Sequence, residues 1–73
     1  MYSYPTKIVI FYIVHRNGHW HAMYKDENLG SYSSAQHAAD DLAGGHTFSL
    51  SNGVDTSKLG IPEDVSEWSY NKP

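Results

Sequence analysis

Cysteine is absent from the 73-residue chain. That removes disulfides and thiolate zinc sites as ways of stapling a domain near the lower size limit for unaided folding. Charge is also sparse: five Lys plus Arg against eight Asp plus Glu give a formal net charge of −3, and 18% of residues are charged. This balance is too acidic for a phosphate-backbone binder and too weak for a disordered acidic tail. The apolar run at residues 8–14 covers seven positions, far too few to span a bilayer. It reads as a strand and not as a signal peptide, because charged and aromatic residues follow Val14 where a small-residue cleavage site would stand. No internal repeat, low-complexity segment or linker divides the chain. The expectation is a single small cytoplasmic domain over 1–73.

What the chain does have is β-sheet chemistry. Residues 8–14 are Ile-Val-Ile-Phe-Tyr-Ile-Val, all β-branched or aromatic, the types that pack well on a pleated surface. Asn17-Gly18 supplies two residues that tolerate positive φ, as a two-residue type I′ turn requires. The hairpin is therefore expected over 7–15 and 19–25, beginning after Pro5, which cannot donate to a ladder. Opposed residues share a face. Phe11, Ile13, His15, Trp20, Ala22 and Tyr24 fall on one side, and Ile10, Tyr12, Val14, Arg16, His19, His21, Met23 and Lys25 on the other. A first strand apolar on both sides is expected to be central and covered twice.

Leu29-Gly30-Ser31-Tyr32 reads as a short third strand. Ser33 with Gln36 matches a capping box, and Ala35, Ala38, Ala39, Leu42 and Ala43 form one stripe of a helix over 34–43, stopped at Gly44-Gly45. Residues 46–51 alternate and are expected as a fourth short strand or a loop pinned by Phe48, turned at Asn52-Gly53. Asp55 can cap a turn over 56–59, and Pro62 with Glu63 and Asp64 resembles a second helical start, with Val65 and Trp68 inward. The fold class is α+β: a small antiparallel sheet on one helix, with a tail over 54–73 of short helical turns packing back on the sheet. The tail is expected to cover Ile10, Tyr12, Val14 and Met23. Another subunit is the competing cover.

The hairpin around His19-Trp20-His21, the helix entry Ser31-Tyr32-Ser33-Ser34-Ala35 and the tail Leu59-Gly60-Ile61-Pro62-Glu63-Asp64-Val65-Ser66-Glu67-Trp68 resemble small bacterial proteins with a β-β-β-α type domain. The resemblance spans most of the chain from Phe11 to Trp68. It implies that fold class and a bacterial or phage source. The group has no established activity, so no catalytic residue comes with it.

Histidine is the residue type that most invites chemistry: five in all, three of them at 15, 19 and 21. Neutral imidazole ligates zinc, copper or nickel. Register separates His15 from the other two, and the face of His19 and His21 carries Arg16 and Lys25 but no carboxylate. His19 and His21 are metal candidates, alone or paired across a dimer, and exposed or stacking histidines are the favoured reading. His37 and Asp41, four apart on the helix, could form an acid–base pair, although an exposed helix face explains them more simply. No nucleophile with an adjacent base stands out, so neither an enzyme nor a cofactor is expected. Tyr12, Met23, Arg16 and Lys25 could stack and hold a nucleic acid, against the charge balance. The expected function is a non-catalytic protein-interaction module, an accessory subunit, adaptor or inhibitor and possible homodimer. Its surface would be Ile10, Tyr12, Val14, Arg16, His19, His21 and Met23.

Overall fold

In a computed structural model, residues 1–47 and 53–71 are described. Five strands, β1 (Tyr2–Pro5), β2 (Ile10–Arg16), β3 (His19–Tyr24), β4 (Glu27–Tyr32) and β5 (Ser69–Tyr70), form one sheet in the order β4-β3-β2-β1-β5. Every pairing is antiparallel. The helix α1 (Ala35–Gly44) lies on one side, and two 3₁₀ turns, Thr56–Lys58 and Val65–Glu67, follow it. This is the α+β class expected from the sequence, with the strand rich in β-branched residues at its centre.

The central hairpin has the register that its turn dictates: Arg16 opposes His19, Val14 opposes His21 and Phe11 opposes Tyr24. Asn17 and Gly18 both have positive φ, 54° and 78°, as a type I′ turn demands. Phe11, Ile13 and Ala22 are fully buried with Ala38, Ala39 and Leu42 of α1. Small residues on the helix let it approach closely, and the sheet supplies the bulk. Trp20, which register places on the same face, is only half-buried at the margin of this core.

Several expectations need correction. The sheet does not begin after Pro5. Tyr2 to Pro5 pair with β2, and β5 pairs only with Tyr2 and Ser3, so Pro5 sits where no outer partner needs its missing N–H. Strand β2 starts at Ile10 and not at Lys7, because Thr6 to Val9 form a turn in which the Thr6 Oγ1 donates to the Val9 carbonyl at 2.7 Å. Strand β4 is longer than expected and bulged. Met23 pairs with Asn28 and Ala22 with Gly30, which leaves Leu29 as the extra residue, pressed into the core at 2% exposure.

Helix α1 is capped by Ser34, whose side chain accepts the His37 N–H, and Gly45 takes the left-handed position at its end. The expected cap at Ser33 is one residue early, and within the expected stop Gly44-Gly45 it is the second glycine that takes the left-handed position. Pro62 does not open a helix; Asp64 caps the turn Val65–Glu67, as Asp55 caps Thr56–Lys58. The strand or loop expected at residues 46–51 and the turn at Asn52-Gly53 rest on residues 48–52, outside the described residues.

The largest correction concerns the tail. Ile61 and Trp68, at 7% and 5% exposure, join the core on the helix side of the sheet. Trp68 packs on Tyr4, ring centroids 5.7 Å apart, and its indole N–H donates to the Pro62 carbonyl. Tyr4 opposes Phe11 and shares its face. Among the described residues the tail therefore extends the helical layer as far as Trp68, adds β5 to the sheet edge, and does not cross the opposite face.

Candidate interaction face

The face left free is built from alternate residues of the central hairpin. Ile10, Tyr12, Val14 and Arg16 of β2 lie beside Met23, His21 and His19 of β3. Ile10 is 44% exposed, Tyr12, Val14 and Met23 are half-buried, and Arg16 and His19 are exposed. A shallow open depression runs over the apolar strip, lined by Tyr12, Val14 and Met23, with Met1, Arg16, Lys25 and Asp26 around it. Polar side chains bound it on both flanks. On the β1 side the Asn71 amide donates to the Ser3 hydroxyl at 3.1 Å, and on the β4 side stand Asn28 and Ser31. The expected surface residues are thus brought onto one face, uncovered by the described residues of the tail.

The histidines are held individually. His21 Nδ1 accepts from the Asn28 amide at 3.1 Å and from the Ser31 hydroxyl at 2.9 Å, while Nε2 lies 3.2 Å from the Arg16 carbonyl. The Asn28 Oδ1 accepts the Gly30 N–H at 3.0 Å, which orients its amide to donate to His21. The ring is thereby assigned the Nε2–H tautomer, with both nitrogens engaged. His19 turns its Nδ1 to the Asn17 carbonyl at 3.3 Å. His15, on the opposite face, stacks on Trp20 at 4.6 Å. Among the described residues, no group of three or more His, Cys, Asp or Glu side chains could hold a metal ion. The roles of Asn28 and Ser31 escaped sequence reading, since they depend on the bulge at Leu29.

His37 and Asp41 do not form an isolated pair. Asp41 is the hydrogen-bond partner of Tyr32, whose ring also meets His37 at 5.0 Å. Burial, then the hydrogen bond to Asp41 and its negative charge, push the Tyr32 phenol from 10.0 up to about 12. This makes Tyr32 a donor that ties β4 to α1, a structural contact.

No protein-family model, curated protein or solved structure matches the chain. Among the described residues, no helix is long and apolar enough to cross a membrane.

Proposed function

We propose that the chain is a non-catalytic protein-interaction module, an accessory subunit, adaptor or inhibitor that binds through the uncovered face of its sheet. The observation that carries this reading is the strip Ile10, Tyr12, Val14 and Met23, open because the tail packs on the other side. An aromatic and aliphatic centre with a polar, partly charged rim is the composition of a protein contact patch. Arg16 and Lys25 flank the strip, but Asp26 stands with them, so the face lacks the uniform positive charge that a phosphate backbone requires. Engagement of both His21 nitrogens argues against a metal centre there. The same reading takes the chain to be bacterial or phage in source and to act in the cytoplasm. A second copy of the chain is one partner that suits a self-complementary apolar strip, giving a two-fold dimer.

Affinity capture with immobilised wild type and a Val14→Thr/Met23→Gln variant, matched by circular dichroism, tests the proposal. A protein retained by wild type and lost by the variant is the expected result. Sedimentation of both proteins shows whether that partner is a second copy. Equal behaviour of the two in every assay, or salt-sensitive retention of nucleic acid in place of protein, contradicts it.

A further inference from the structure

At the Arg16 end of the sheet, an adjoining cleft of about 400 Å³ is lined by Met1, Val14, His15, Arg16, Trp20 and Tyr70, within the ~300–1,000 Å³ common for ligand sites. Its aromatic residues Trp20 and Tyr70 are linked through Tyr2. Tyr2 meets Tyr70 edge-on at 4.8 Å and Trp20 at 5.9 Å, and His15 backs one face of Trp20 at 4.6 Å. Tyr70 is 57% exposed. Unlike the Trp68 indole, which donates to Pro62, the Trp20 indole N–H has no acceptor among the described residues.

The donor inventory defines what fits. A guanidinium and an indole N–H only donate hydrogen bonds, the Tyr70 hydroxyl and the His15 ring can donate or accept, and none of the six lining residues carries a carboxylate or carboxamide. The complementary ligand supplies acceptors and flat apolar surface and brings few donors. A polyproline II segment has that chemistry: proline lacks an N–H, the helix makes no internal hydrogen bonds, and its carbonyls stand open while its rings pack on aromatic side chains. One turn of three residues spans about 9 Å. A stacked single-stranded nucleic acid matches less well, because Arg16 is the one permanently charged side chain in the lining of a chain with net charge −3.

We infer that the Trp20–Tyr70 cleft is a docking site for a proline-rich extended peptide, with proline rings against Trp20 and Tyr70 and a peptide carbonyl accepting the Trp20 indole N–H. This site adjoins the open sheet face at Met1, Val14 and Arg16, but its test reads Trp20 and Tyr70, which lie outside that face, so either reading can fail without the other.

The experiment titrates the ¹⁵N-labelled chain with N-acetyl octaproline amide and follows the two indole N–H signals. The Trp20 signal shifts saturably, and the Trp68 signal, bonded internally, stays in place as a reference. Tyr70→Ala weakens the titration about fivefold or more while leaving the thermal midpoint near that of wild type. Trp20→Phe, which keeps an aromatic wall, weakens it as well through loss of the donor, read from the backbone amides around Tyr70. An unmoved Trp20 signal at millimolar octaproline overturns the assignment. So does an equal shift with a glycine-serine peptide of the same length, or a larger one with decathymidylate.

Discussion

Gln36 accepts the backbone N–H of Val65 on its Oε1 at 3.0 Å, across 29 positions of sequence. Its Nε2 donates to the carbonyl of Glu63 in the same segment. One side-chain amide thus behaves as a peptide group toward the tail, and this clamp holds residues 63–65 beside the first turn of α1. The geometry explains why the tail extends the helical layer. Gln36→Leu removes both hydrogen bonds and is expected to lower stability by about 1–2 kcal/mol, with the loss read from the urea midpoint. An unchanged midpoint would show that the clamp contributes nothing.

The turn at Asn17-Gly18 fixes the sheet register, and Gly18 has φ 78° with nothing near its missing Cβ. Gly18→Val therefore meets backbone strain alone. A loss greater than ~1 kcal/mol is expected, whereas Gly18→Asn, which tolerates the left-handed region, loses less. Equal losses for the two would contradict the turn assignment.

Thr56 is buried at 3% exposure, and its Oγ1 has no hydrogen-bond partner among the described residues. An unsatisfied buried hydroxyl is destabilising, and valine keeps its shape. Thr56→Val is expected to stabilise by about 1 kcal/mol in thermal or urea unfolding. Destabilisation would reveal that the hydroxyl is satisfied.

Much of this architecture was legible in the sequence, and the illegible parts share a cause. A two-residue turn leaves one register, so face membership for Phe11 through Tyr24 followed from Asn17-Gly18. The alanine stripe located α1 to within a residue. The side taken by the tail was not legible, because Ile61 and Trp68 declare that they are buried without declaring against which face. Tyr4 and the Gln36 amide decide that, and both are distant in sequence. Pro5 misled for a related reason: its tolerance depends on β5 stopping at Tyr2 and Ser3. The bulge at Leu29 has no local signature, so the Asn28 and Ser31 bonds to His21 were unreadable. The open face was legible in its membership and not in its exposure.

Tyr32 carries a pH prediction. Its phenol is raised from 10.0 to about 12 in the folded chain. A raised folded value means that the stabilisation is fully present below pH 10.0 and is lost as pH rises from there through about 12. Tyr32→Phe should accordingly flatten the alkaline fall in stability over that window, measured by urea unfolding at successive pH values. An identical alkaline profile for the variant would contradict the Tyr32–Asp41 contact.

The Tyr12–Val14–Met23 strip is open in the isolated chain, and the proposed function requires a partner to cover it. Met23 reports on it directly through its oxidation rate by hydrogen peroxide, followed by mass spectrometry in dilute protein and again with the captured partner or with the chain concentrated. Rapid oxidation of Met23 is expected when the chain is dilute, and several-fold protection when the partner is present. Slow oxidation in the dilute chain would show that the face is already covered, and a rate indifferent to the partner would show that binding occurs elsewhere.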